Sequence, residues 1–308
     1  MNVTTGPDLA HVTAAESLTP LQDPRRRRRA RTVGGERLLP AALRYVLMLL
    51  VVVLVAGPFL YQLSTSLKGS GESIFAYPPV LIPRQPTLEN FVQVAETIPV
   101  WRYIGNSFIV AGVSTVTNVV FGSMAGYALA RLRFRFQRLV FVGFIATIII
   151  PFEVILVSVF LTVRGMGLVD TLAGVVVPTA VTGLSVLLMR NAFLALPREV
   201  EEAAVIDGAG EWQRYRLVAL PAVRGTLTVV AIFSFMFAWD DFLWPLVVLK
   251  TPDSFTLTVG IQYLSGTFTS DQRVIAAGTM IAVIPLLMGF FAFQRYFFRG
   301  VGEGSVKG

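Results

Sequence analysis

The sequence predicts an all-α integral membrane protein of six transmembrane helices, and three observations carry that expectation. First, 54% of the 308 residues are hydrophobic and only 15% are charged, with a mean hydropathy of +0.67; a water-soluble chain carries roughly 25% charged residues. Second, the charges fall in clusters, leaving six intervals that suit the roughly 20 apolar residues of a bilayer-crossing helix. Third, Lys and Arg gather in alternate segments between those intervals, as the positive-inside rule requires.

The elements follow in chain order. Residues 1–37 hold no apolar run long enough for a signal-peptide core. Their polar mixture, followed by Arg25 to Arg29 and Arg31, predicts a disordered, arginine-rich cytoplasmic tail that binds anionic lipid headgroups. No aromatic residues are interleaved with the arginines, so a nucleic-acid partner is not expected. The membrane-spanning body is expected over 38–300 and a short cytoplasmic tail over 301–308. Within the body, Tyr45 to Leu67, Tyr103 to Ala130, Thr171 to Met189 and Val274 to Gln294 are charge-free, and Leu139 to Val163 is interrupted only by Glu153. The fifth span starts near Gly225 and runs through Trp239 to Asp240-Asp241, with Phe242 to Leu249 apolar beyond.

Six crossings place both termini on one side. With that side cytoplasmic, eight Lys and Arg lie in the tail up to Arg44, four between Arg131 and Arg138, five from Arg190 to Arg224 and three at the C-terminal end. The remaining six, Lys68, Arg84, Arg102, Arg164, Lys250 and Arg273, lie outside. The net charge of +7 therefore reads as membrane orientation. Prolines 78, 79, 83, 86 and 99 make a continuous helix across the outer segment from Lys68 to Arg102 unfavourable. Gly105, Gly112, Gly122, Ser123 and Gly126 on the second span predict close helix packing.

The absence of Cys and the single histidine, His11, exclude disulfide frameworks, Cys/His metal sites and Ser-His or Cys-His nucleophiles. No metal site is expected. Glu153, Asp240 and Asp241 stand out because ionisable groups within a membrane are costly enough to be functional candidates. Asp240-Asp241 is expected near the outer end of its span, between Trp239 and Trp244 as interfacial anchors. Asn106 and Asn118 could hydrogen-bond a solute or bridge helices. These five residues form the candidate solute path.

The long inside segment over 190–224 reads as two short helices joined at Gly208 and Gly210. Pro197 suits the opening turn of the first helix, and the second runs from Glu211 until Pro221. An amphipathic pair outside the membrane needs a cover, and a partner protein is the natural one.

Glu202-Ala203-Ala204, Gly208, Val218, Leu220 and Pro221 resemble the cytoplasmic EAA loop of permease subunits in ABC importers, with valine where the family carries isoleucine. From about Pro58 onward the chain resembles the maltose and multiple-sugar type. The matching residues include Ser64-Thr65-Ser66-Leu67-Lys68, Glu89-Asn90-Phe91, Tyr127-Ala128-Leu129-Ala130-Arg131, Ile206-Asp207-Gly208-Ala209 and Trp239-Asp240-Asp241-Phe242-Leu243-Trp244-Pro245-Leu246. Two positions depart: Asp240 replaces a usual asparagine, and Arg224-Gly225 follows Leu220-Pro221 where another proline is common.

The resemblance implies a non-catalytic permease subunit in the cell membrane. It also implies a cytoplasmic ABC ATPase dimer, a second permease subunit and an extracytoplasmic sugar-binding protein as partners. No Gly-x-x-x-x-Gly-Lys-Ser/Thr loop is present, so no cofactor is expected on this chain, and ATP with magnesium belongs to the ATPase. Glu202, Ala203, Ala204, Asp207, Gly208, Val218, Leu220 and Pro221 would couple the two subunits. Moving a two-state transporter from 1:99 to 99:1 takes about 5.5 kcal/mol, whereas one exposed ion pair supplies at most about 1 kcal/mol. Coupling therefore calls for a packed, rigid joint. The expected solute is a carbohydrate, with a polyol or phosphorylated polyol as the alternative. An ion-coupled secondary transporter using Glu153 or Asp240 is the competing class, against which stands the lack of a second, inverted half.

Overall fold

The computed structural model describes residues 38–78 and 80–303. The tail expected over 1–37, and residues 304–308 of the expected C-terminal tail, lie outside the described residues. The chain divides into two compact units, Met1–Gly57 and Pro58–Gly308. The division falls inside the first helix, α1 (Leu38–Ser66), at Pro58, which contributes no amide to the helical ladder. In the first unit, the apolar side chains from Leu43 to Val55 are exposed, a surface suited to lipid rather than water.

Among the described residues of the second unit, the regular structure is helical. After α1 come α2 (Glu89–Thr97), α3 (Val100–Arg131), α4 (Gln137–Ile149), α5 (Phe152–Gly165), α6 (Leu172–Val176) and α7 (Gly183–Ala195). They are followed by α8 (Arg198–Ile206), α9 (Glu211–Gln213), α10 (Leu220–Ala222), α11 (Arg224–Asp240), α12 (Leu243–Val248), α13 (Leu257–Tyr263) and α14 (Gln272–Glu303). α3 packs against α7 and α11, α11 against α14, and α4 against α7. Among the described residues no strand forms, and Lys68 and Pro86 make an isolated antiparallel bridge.

Leu43–Ser66, Val100–Arg131 and Gln272–Gly289 are each long and apolar enough to cross a membrane. Three further stretches qualify only as bent pairs, giving three to six candidate spans. The expected third span breaks at Pro151, where α4 and α5 meet at 110°. Proline disfavours a helical residue before it, and Ile150 is extended. The fourth bends by 42° between Thr179 and Gly183, after Pro178, and Thr182 caps the restarted helix by accepting from the Ser185 amide. The fifth meets the preceding helical segment, Glu211–Ala222, at 80°. That segment passes Pro221 by one residue before Val223 leaves helical geometry.

Of the small residues expected to permit close packing, only some do so. A Cβ on Gly122 would lie 2.6 Å from Ser185 Oγ, and one on Gly126 would lie 2.6 Å from Met189 Cβ, so these two set the α3–α7 approach. Gly105 and Gly112 have nothing within 4 Å of that position. Gly112 lies about four turns before Gly126 and so nearly on the same face; the expectation fails for it and for Gly105 because no neighbour comes close at their positions along α3.

Candidate functional site

A cavity of 620 Å³ opens between α3, α5, α7 and α11, within the size range of small-molecule sites. α3 presents Val110, Ser114 and Asn118 to it, spaced four residues apart and hence on one helical face. Glu153, exposed in the first turn of α5, lines it, as do Asp240 and Asp241 at the end of α11. Hydroxyls of Thr147, Thr179, Thr182, Ser185 and Ser234 and the rings of Phe152, Phe237 and Phe242 share the wall. Among the described residues, no Lys, Arg or His lines it.

Four of the five residues proposed for the solute path meet here, but not in equivalent roles. Asn118 is buried and donates to the carbonyls of Ser114 and Thr179, both at 2.9 Å. Its oxygen accepts from the Thr182 amide at 2.9 Å and the Thr182 hydroxyl at 2.8 Å. These four bonds fill the capacity of a carboxamide, so Asn118 fastens α3 to the bend between α6 and α7. Asn106 does not line the cavity. Its amide donates to the carbonyls of Asp253 at 3.1 Å and Phe255 at 2.9 Å, bridging segments instead of facing solute.

The tryptophans also differ from expectation. Trp239 and Trp244 are 2% and 1% exposed, core residues rather than interfacial anchors. Trp239 Nε1 donates to Ala282 O and Trp244 Nε1 to Gly174 O, so each buried ring has the partner its N–H needs. Asp241 accepts from the Trp244 amide at 3.4 Å, which ties the acidic pair to this packed end of α11.

The segment expected as two helices joined at glycine folds that way. Pro197 precedes α8, and the amides of Asp207, Gly208 and Ala209 close its end on the carbonyls of Ala203, Val205 and Ala204. Gly208 sits at φ +82°, a left-handed geometry that glycine enters without steric cost. The Gly210 amide then donates to Gln213 Oε1 at 2.9 Å, starting the next helix. That helix packs Tyr215 and Ala219 against Tyr127, Met189 and Phe193, with Leu220 beside them. Tyr215 also shares a 2.8 Å hydrogen bond with Ser123. Val218 is half-buried and Pro221 exposed.

α8 divides its residues between two faces. Glu202, Ala203 and Asp207 are exposed, whereas Glu201 and Ala204 are buried. Sequence reasoning named Glu202 and passed over Glu201, which lies 3.0 Å from Arg131 Nε. Arg131, the last residue of α3, also donates from Nη2 to the carbonyls of Phe193 at 2.6 Å and Leu196 at 2.7 Å. The missed signal was spacing: Glu201 and Ala204 are i and i+3, one face of a helix.

Beyond the cavity, Asp170 adopts φ +61° and holds the 250–254 segment. Its carboxylate accepts from the amides of Lys250 at 2.8 Å and Thr251 at 3.1 Å and from the hydroxyls of Thr251 and Ser254. Partial burial opposes ionisation, but these hydrogen bonds outweigh it and hold the carboxyl at about 2, below its ordinary 3.8.

Comparison with known proteins places this geometry. The family model described as "binding-protein-dependent transport system inner membrane component" matches residues 118–303. The chain is 34% identical to the arabinooligosaccharides transport system permease protein AraQ of Halalkalibacterium halodurans, over 80% of this chain and 88% of that one. It is 30% identical to the diacetylchitobiose uptake system permease protein NgcG of Streptomyces coelicolor, over 87% and 89%. A crystal structure of a bacterial ABC transporter involved in import of the acidic polysaccharide alginate superposes with a TM-score of 0.75, covering 91% of this chain and 100% of that one. At 21% identity that likeness speaks to fold alone.

Proposed function

Because the chain belongs to the binding-protein-dependent transport system inner membrane component family, we propose that it is the permease subunit of an ATP-driven importer for an uncharged carbohydrate. The observation that carries this reading is the presence, in one chain, of a cavity walled by apolar and hydrogen-bonding side chains together and a helical hairpin over 198–222 that bears the EAA pattern and turns one face outward. Counting as crossings the three long helices, the bent pairs α4–α5 and α6–α7, and α11 with the Glu211–Ala222 segment before it left in the hairpin, gives six spans and puts both termini and the hairpin on the cytoplasmic, arginine-rich side. The chain passes solute and hydrolyses nothing. An ATPase dimer binds ATP and magnesium and docks on the outward face of α8, with Glu202, Ala203 and Asp207 meeting it and Gly208 setting the turn. A second permease subunit completes the pore, and an extracytoplasmic binding protein delivers the solute.

The relatives named for arabinooligosaccharides and diacetylchitobiose support a carbohydrate. The cavity supports an uncharged one. Hydroxyls, carboxylates and phenyl faces suit sugar hydroxyls and C–H surfaces. Glu153, Asp240 and Asp241, with no Lys or Arg among the described residues of the wall, repel a phosphorylated polyol.

The test is purification of the tagged chain in mild detergent, followed by uptake in proteoliposomes. An ATPase and a second membrane subunit should co-purify, and uptake should require ATP and the binding protein. Solute accumulation without any ATPase would overturn the reading in favour of an ion-driven carrier.

A further inference from the structure

We infer that Arg131 and Glu201 form the mechanical linkage through which movement of α8 reaches the helices lining the cavity. The inference rests on the reading of α8 as the ATPase-docking helix, and it concerns the residues behind the docking face rather than on it.

α8 turns Glu202, Ala203 and Ile206 outward, with Ile206 86% exposed. A partner pressing on that face can move the membrane helices only through what the opposite face holds. There the Glu201 carboxylate meets Arg131, and the two side chains are only 10% and 8% exposed. The same guanidinium grips the carbonyls of Phe193 and Leu196, where α7 ends. One side chain thus joins α8, α3 and the end of α7.

The middle of α3 and the other end of α7 form part of the cavity wall. Ser114 and Asn118 of α3 and Gly183 and Ser185 of α7 line it. From Asn118 to Arg131 the unbroken helix spans about 20 Å, at 1.5 Å per residue. α3 and α7 move as a pair because the Asn118–Thr182 bonds and the close approaches at Gly122 and Gly126 fasten them along their length. A displacement at Arg131 therefore arrives at the cavity rather than dissipating between helices.

The kind of contact matters. Neither Arg131 Nε nor Glu201 Oε1 has an aligned hydrogen bond, although the atoms are 3.0 Å apart. The attraction is thus Coulombic, which tolerates rotation better than a linear hydrogen bond does. Separation is another matter, because it leaves two buried, uncompensated charges. The pair works as a pivot: α8 can tilt against α3 and α7 but cannot leave them.

The experiment measures solute moved per ATP hydrolysed by the complete reconstituted transporter. Compared with the parent are Glu201→Gln, the double variant Arg131→Met with Glu201→Leu, and the outward-face variant Glu202→Gln. The double variant leaves no unpaired buried charge, so it separates loss of linkage from loss of fold. Glu201→Gln and the double variant should retain the ATPase and its hydrolysis while solute moved per ATP falls at least about tenfold, with the solute concentration for half-maximal uptake unchanged. Glu201→Asp should restore part of the ratio, and Glu202→Gln should weaken ATPase capture. An unchanged ratio in either linkage variant overturns the inference, as does loss of the ATPase from Glu201→Gln, which would make Glu201 a docking residue. If the parent itself captures no ATPase, the reading of α8 fails, and the linkage fails with it.

Discussion

Asn118 and Asp170 show how much one polar side chain can hold when its hydrogen-bonding capacity is filled. Asn118 satisfies four groups at the point where the α6–α7 segment bends. Asn118→Leu removes all four bonds and leaves the Thr182 amide unpaired, a cost of about 3 kcal/mol. A lowered melting temperature in detergent is the expected result. Asp170 makes a pH-dependent contribution. Its folded value of about 2 lies below the ordinary 3.8, so the ionised form stabilises the fold. That stabilisation is complete above 3.8, declines as pH falls from there and is gone below about 2. The clamp is largely open to solvent, which keeps the effect small. Thermal melts over this range should show a shallower acid decline for Asp170→Asn than for the parent.

At the scale of elements, the straight helices carry the packing and the broken ones shape the cavity. α3 is the frame: it touches α7 through Gly122 and Gly126 and reaches the hairpin through Tyr127 and Arg131. Gly126→Leu drives a side chain into Met189 and the Arg190 backbone and should cost about 1–3 kcal/mol. Gly105→Leu, with open space at its Cβ, should leave the melting temperature unchanged. The pair of variants tests whether small residues on one helix act through what packs against them rather than by number. The break beside Pro151, where Glu153 could satisfy a broken helix backbone, is legible in the sequence as a place; neither its angle nor the bend between Thr179 and Gly183 is. An apolar run reports that a segment avoids water, and it says nothing of its direction. Proline marks the place where an amide is missing, but the angle, 110° in one case and 42° in the other, is fixed by what the two halves pack against.

For the whole molecule, orientation in the membrane can be measured directly on this chain. It contains no cysteine, so single cysteines report without background. Ile206→Cys and Tyr77→Cys, at residues 86% and 97% exposed, lie on opposite sides in the six-span reading. An impermeant maleimide added to intact cells should label Tyr77→Cys and spare Ile206→Cys until the membrane is permeabilised. Labelling of Ile206→Cys from outside would reverse the topology and remove the ATPase from the scheme. The sequence by itself determined that this protein belongs in a membrane, that helices build it, and where the hairpin with Gly208 at its turn lies. Those features depend on composition, charge order and local backbone preference. Only the tertiary structure decided that Trp239 and Trp244 are core residues, that Asn118 is a fastener, and that Glu201 rather than Glu202 faces Arg131. Those outcomes depend on which face of each helix meets another, and a linear order of residues does not contain its neighbours in space.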